Sequence, residues 1–143
     1  MLTIRPPAVA GSFYPGQAQS LAKDLQAMLT ASGPAPDAVH TVPKAVIVPH
    51  AGYVYSGTTA ALAYARIAAG AAAIRRVVLL GPVHRVPVRG LALPGGDAFA
   101  TPLGAVPLDA QAMESIAQLR AGKAKPRTLI RDGQPQNEEQ TAG

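Results

Sequence analysis

Two histidines each follow a hydrophobic run that is typical of a β-strand. His50 comes shortly after the run at residues 44–48, and His84 comes shortly after the run at residues 77–80. An alanine-rich stretch of helical character separates the two runs. This order predicts a strand, a crossover helix and a parallel strand, with both carboxyl ends at one ligand-binding edge of the sheet. Because imidazole nitrogens bind transition metals, the pattern predicts the beginning of a metal site.

The distances in a parallel sheet allow both histidines to reach one ion. Neighbouring strands lie about 4.8 Å apart, and a histidine nitrogen binds a metal at about 2.1 Å. The alternative is that each histidine only hydrogen-bonds to the backbone of its own loop, and the spacing alone leaves both interpretations open. The third histidine, His40, lies in a proline-rich linker with no strand before it, so we expect an exposed loop residue there.

The residues directly after His50 are the candidate lining of a pocket. Tyr53 and Tyr55 carry phenols that are able to hydrogen-bond a substrate or a metal ligand. Gly52 suits a tight backbone next to such a site. The alternative for the two tyrosines is that they pack against the loop and cap it. The pattern assigns no catalytic residue, since the sequence has neither a Gly-x-Ser-x-Gly elbow nor a phosphate-binding loop.

Composition narrows the class of protein. The 143 residues fit one domain, 48% of them are apolar, and there is no cysteine. The net charge of +5 is spread over loops and strand ends without interleaved aromatic residues, so we expect no nucleic-acid partner.

We also expect no membrane association, because no apolar stretch reaches the length of about 20 residues that a membrane span requires. We therefore expect a cytoplasmic protein with a small-molecule or peptide ligand, and the sequence gives no oligomeric state.

Helical spacing and capping residues predict three helices. Leucines recur at helical intervals over residues 17–31, before the end signal Gly33-Pro34. A second helix is predicted with its body at residues 60–69, capped by Ser56 or Thr58. Asp109 predicts the cap of a third helix, which Gly122 would end.

Continuous apolar runs predict buried strands of a parallel sheet. Such strands, at residues 44–48 and 76–80, require layers on both faces. A shorter third strand is predicted at residues 90–93. The fold class expected is therefore α/β, with a mostly parallel sheet and flanking helices. Residues 120–143 are polar and rich in glycine and proline, and we expect disorder there.

Four motifs, in this order and with suitable gaps, resemble those of one family. They are Pro-Ala-Val-Ala-Gly-Ser-Phe-Tyr-Pro at residues 7–15, Pro-His-Ala-Gly-Tyr-Val-Tyr-Ser-Gly at residues 49–57, Leu-Gly-Pro-Val-His at residues 80–84, and Asp97 with Thr-Pro-Leu-Gly at residues 101–104. The chain resembles the Memo-like family, whose bacterial members are called AmmeMemoRadiSam system protein B. The resemblance covers about residues 5–119.

The resemblance implies a fold similar to that of class III extradiol dioxygenases, which hold non-haem iron(II). It also implies that His50 and His84 line the metal pocket, with a third ligand, often a cysteine, much further along the chain. This sequence has no cysteine and lacks the Glu-His-Ser motif that the family carries after its fourth motif. We therefore predict that residues 1–119 form the N-terminal part of a Memo-like domain and that residues 120–143 are a tail outside the family.

The function expected from this resemblance is that of a metal-binding protein, redox-active or dioxygenase-like in the intact fold. Iron(II) or copper would be bound by His50 and His84, with the third ligand absent from this chain. If the protein is an enzyme, it is a non-haem metal-dependent oxidoreductase. Two alternatives stay open: a non-catalytic module that binds a peptide or small molecule, and an inactive truncated fragment.

Overall fold

The computed structural model describes residues 1–33, 42–68, 70–88, 90–121, 129–131 and 134–136. These described residues contain three α-helices, a mixed three-stranded sheet and a separate pair of strands, so the predicted α/β class is confirmed in an incomplete form. The chain divides into two compact units. The first comprises Met1–Pro6, Leu79–Ala100 and Ala105–Gly143, and the second comprises Pro7–Val78 and Thr101–Gly104.

The second unit contains two packed helices. Helix α1 spans Ala18–Ala31, where the leucine spacing predicts it, and helix α2 spans Tyr53–Ala68. Leu21 on α1 and Ala61 on α2 are the buried apolar side chains of the described residues. The two helices approach closely at Gly57, since a Cβ atom there would lie 2.6 Å from the Met28 sulfur.

Helix α2 begins earlier than the sequence predicts. Ser56 does not cap the helix from outside but lies in its first turns, and its hydroxyl donates to the carbonyl of Ala51 (3.1 Å). The carbonyl of Gly52 accepts the N–H of Ser56 (3.1 Å), which starts the helical ladder at this point. The helix ends at Ala68, and a short 3₁₀ turn follows at Ala71–Ala73.

The sheet belongs mainly to the first unit. Strand β1 (Ile4–Arg5) runs parallel to β2 (Ala98–Thr101), and a tight turn then leads into β3 (Gly104–Pro107). Helix α3 follows at Ala110–Ala121. Its cap is the predicted one, because a side-chain oxygen of Asp109 accepts the N–H of Ala112 at 2.9 Å.

Three strand predictions are wrong. Residues 44–48, 76–80 and 90–93 belong to no strand of the described structure. Their apolar pattern predicts layers on both faces, yet the side chains of residues 77–80 are 70–80% exposed. A strand exists only where a neighbouring segment satisfies its backbone N–H and C=O groups. Among the described residues no other strand pairs with these segments, so the α2 crossover lacks both strands predicted to flank it.

Most of the C-terminal segment lies outside the described residues. Within residues 120–143, strand β4 (Leu129–Arg131) pairs antiparallel with β5 (Gln134–Gln136). Residues 122–128, 132–133 and 137–143 are not described, and the predicted disorder there stays a prediction, as does the domain boundary at residue 119. His40 also lies outside the described residues.

None of the described helices combines the length and the apolar character that crossing a bilayer requires.

The contrast between buried and exposed leucines gives a test of this packing. Leu21 is 4% exposed, whereas Leu62 on α2 is 57% exposed. We expect Leu21→Ala to lower the free energy of unfolding by about 2–4 kcal/mol, because it removes buried methyl groups and leaves a cavity. The matched change Leu62→Ala lowers it by less than about 1 kcal/mol. Urea unfolding followed by circular dichroism measures both, and equal losses would contradict this packing.

Candidate functional site

His50 lies on an exposed segment whose two ends are held by contacts within the second unit. At one end Val42 lies against Gly70, where an added Cβ atom would collide with a Val42 methyl carbon. At the other end the chain enters α2 directly after Gly52. His50 itself is exposed. The chain is thus in contact with other segments at Val42 and at Gly52, and the exposed His50 lies between these two points.

The N-terminal loop, residues 8–16, holds the start of α2. The backbone N–H of Tyr53 donates to the carbonyl of Phe13 at 2.8 Å. This bond satisfies one of the first-turn N–H groups that a helix leaves without an internal partner. A Cβ atom on Gly52 would lie 3.4 Å from both the Cα and the carbonyl oxygen of Phe13, so the two backbones are in close contact. The loop therefore fixes the exit of the His50 segment.

The same loop is braced by its own hydrogen bonds. The N–H of Phe13 donates to the carbonyl of Val9 (2.9 Å), and the Ser12 hydroxyl donates to the same oxygen (3.0 Å). The N–H of Gly11 donates to the carbonyl of Tyr14 (2.8 Å). Gly11 has φ +83°, a conformation that side-chain-bearing residues rarely adopt. The N-terminal loop is thus a compact turn braced by its own hydrogen bonds.

Two tyrosine rings meet where the loop touches α2. The ring centroids of Tyr14 and Tyr53 lie 5.8 Å apart, with 42° between the ring planes. Burial raises the pKa of Tyr53 above its ordinary value of 10.0, and the neighbouring phenols of Tyr14 and Tyr64 raise it further. Tyr53 is half-buried, whereas Tyr55 is 85% exposed. Of the two tyrosines predicted to line a pocket, Tyr53 is therefore the one held by its surroundings.

His84 belongs to the first unit, and His50, Gly52, Tyr53 and Tyr55 belong to the second. His84 is exposed and lies where the chain bends, at residues 84–86. It does not follow a paired strand, contrary to the prediction, because residues 76–80 form no ladder within the described structure. The prediction that both imidazoles meet at one ion stays a prediction.

The described residues contain no cluster of three or more His, Cys, Asp or Glu side chains that would hold a metal ion. The sequence prediction assigns two ligands to this chain and places the third outside it. Two imidazoles are chemically suitable donors for iron(II) or copper, but they supply only part of a ligand set.

Asp97 has a structural role that the sequence reasoning missed. One of its carboxylate oxygens accepts the N–H of Thr3 (2.7 Å), and its own N–H donates to the carbonyl of Thr3 (2.8 Å). Its carbonyl accepts the N–H of Leu108 (2.8 Å). Asp97 thereby ties β1 to the start of β2 and to the end of β3. Its position four residues before the Thr-Pro-Leu-Gly motif at residues 101–104 was the available signal, but its partner Thr3, next to strand β1, is remote in sequence.

Comparison with known proteins decides the family. A profile described as Memo-like protein matches residues 5–132. The chain belongs to the Memo-like family. The four sequence motifs all lie within the matched range, which extends beyond residue 119, where the motif resemblance ends.

Relatives come from all three domains of life. A MEMO1 family protein of Aquifex aeolicus is 42% identical over 115 residues, which cover 80% of this chain and 40% of the relative. A MEMO1 family protein of Ignicoccus hospitalis is 35% identical, over 82% of this chain and 43% of the relative. The Protein memo-1 homolog of Caenorhabditis elegans is 36% identical, over 78% of this chain and 30% of the relative. The chain thus spans less than half the length of these relatives.

The raised pKa of Tyr53 predicts a pH dependence of stability. The folded state favours the neutral phenol, so this stabilisation is present below pH 10.0 and is lost as the pH rises through the folded-state pKa. We expect the free energy of unfolding to fall less steeply above pH 10.0 in Tyr53→Phe than in the parent. Urea titrations at stepwise pH measure this. Tyr55→Phe, a matched change at an exposed position, should follow the parent, and identical slopes for parent and Tyr53→Phe would refute the assignment.

Proposed function

We propose that this Memo-like chain supplies two ligands, His50 and His84, to an iron(II) or copper site that carries out redox chemistry of the dioxygenase type. The observation that carries the proposal is the setting of His50. His50 is exposed, and the chain on either side of it is in contact with other segments, through Val42 at Gly70 and through Gly52 at Phe13. A metal ligand needs a positioned backbone, and these flanking contacts and the exposure of His50 support the proposal.

The family motifs support the pairing of His50 with His84. Both histidines lie in motif segments that resemble the family's, within the range that the family profile matches. Two neutral imidazoles and one further ligand leave positions on the ion for oxygen and substrate. A bound iron(II) or copper ion would supply electron transfer and dioxygen activation. The third ligand is left to a group outside the described residues, because these contain no cluster of three donors.

We assign to Tyr53 the role of hydrogen-bonding a small molecule that is bound beside the metal. Its backbone is fixed by Phe13 and its ring lies against Tyr14. A neutral phenol both donates and accepts a hydrogen bond, so it is able to orient an oxygen-bearing small molecule. Gly52, between His50 and Tyr53, keeps this turn close to the N-terminal loop.

Metal binding by histidine variants tests the proposal. We expect His50→Ala and His84→Ala each to lower copper(II) affinity at least about tenfold, the scale that 1.4 kcal/mol corresponds to. If both bind one ion, the double variant loses little more than each single variant, because the losses of residues that share a partner do not add. Isothermal titration of the full chain, and metal analysis after anaerobic loading with iron(II), provide the measurements.

His40→Ala is the matched control, since it removes the remaining histidine of the sequence. It should bind copper(II) as the parent does. Equal binding by the parent, His50→Ala and His84→Ala would overturn the proposal. Binding of a small acid or peptide that survives chelator would instead support a non-catalytic binding module. Lack of a cooperative unfolding transition in the parent would support an inactive fragment.

A further inference from the structure

The N-terminal loop at residues 8–16 enters the function proposed above only as a support for Tyr53, the residue that follows Gly52. Its sequence forms most of the first family-like motif. The Phe13 carbonyl accepts the N–H of Tyr53 at 2.8 Å, and the Tyr14 ring centroid lies 5.8 Å from that of Tyr53. Adjacent residues of one loop thus hold both the backbone and the side chain of Tyr53.

We propose that Tyr14 is a positioning residue, whose ring holds the Tyr53 side chain so that the Tyr53 hydroxyl meets an oxygen-bearing ligand bound at His50. This inference rests on the proposed function, because a ligand is expected there only if His50 binds the metal. The ligand class is one with a carbonyl, carboxylate or phenolate oxygen, since these accept a hydrogen bond from a neutral phenol.

A positioning residue needs a rigid base, and the loop provides one. The carbonyl of Tyr14 accepts the N–H of Gly11 at 2.8 Å, which ties the residue to the opposite side of its own turn. A Cβ atom on Gly16 would lie 3.3 Å from the Gly11 nitrogen, so the loop closes tightly upon itself. Tyr14 is therefore presented to Tyr53 from backbone that has little freedom to move.

The contact between the rings restricts how the Tyr53 side chain turns. A tilted aromatic pair has preferred ring geometries, so rotation of one ring disrupts the contact with the other. Burial is the largest cause of the raised Tyr53 pKa, and the phenol of Tyr14 adds to it. The titration of Tyr53 consequently reports whether Tyr14 lies against it, independently of any metal.

The first measurement uses the full chain without metal. The protein is labelled with ¹³C at the tyrosine rings. The signal of Tyr53 is identified as the one that is absent from the spectrum of Tyr53→Phe, and its titration is followed by NMR. We expect Tyr14→Leu to return the pKa of Tyr53 towards 10.0, because the covering ring and its phenol are both removed. Tyr14→Phe keeps the ring and produces a smaller fall. Val54→Ala, at a position 93% exposed on the same helix, leaves the titration unchanged.

An unchanged Tyr53 titration in Tyr14→Leu would overturn the inference. Should Tyr14→Leu fail to fold, Tyr14→Phe decides, because loss of the neighbouring phenol must still lower the pKa of Tyr53.

The second measurement concerns the ligand, with catechol as the probe and copper(II) as the metal. We expect Tyr14→Leu to bind copper(II) as the parent does but to bind catechol about tenfold more weakly, which is about 1.4 kcal/mol. Tyr14→Phe restores catechol binding, since it retains the ring. Equal catechol affinity in the parent and Tyr14→Leu would overturn the proposal that Tyr14 positions Tyr53 for the bound ligand. If the parent shows no His50-dependent copper binding, the proposed function fails, and the NMR titration alone decides whether Tyr14 orients Tyr53.

Discussion

The hydrogen bond from the N–H of Tyr53 to the carbonyl of Phe13 is the constraint on which the candidate site depends. The first N–H groups of a helix lack helical partners, and water or another segment must satisfy them. Here the partner is a loop about forty residues earlier in the chain, so the first turn of α2 is fixed from outside the helix. The point at which the chain carrying His50 enters α2 is therefore set by this contact.

The parts of the fold that could be predicted are those that local sequence determines. The leucine spacing of α1 and the Asp109 cap of α3 act within a few residues, and both are confirmed. The start of α2 was predicted too late, because the residue that fixes it is Phe13 and no local signal contains that contact. Asp97 was missed for the same reason, since its partner Thr3 lies 94 residues away.

The strand predictions failed for a different physical reason. A continuous apolar run such as residues 77–80 indicates how much covering a segment requires, but it does not indicate which residues provide the cover. In the described structure these side chains are exposed and their backbone pairs with no strand. The chain spans 40% of the Aquifex aeolicus relative, and among the described residues no strand pairs with these apolar segments.

The residues of the candidate site were predicted from the sequence, whereas the contacts around them were not. Histidine chemistry and the family motifs single out His50 and His84 from the sequence alone, and their role as ligands stays a prediction. They do not reveal that the first motif and the second contact each other, which is visible only in the approach of Phe13 to Gly52 and of Tyr14 to Tyr53. This contact gives a physical reason for the two motifs to occur together. A loop that must fit against a glycine and present an aromatic ring accepts few sequences, and its partner is restricted in the same way.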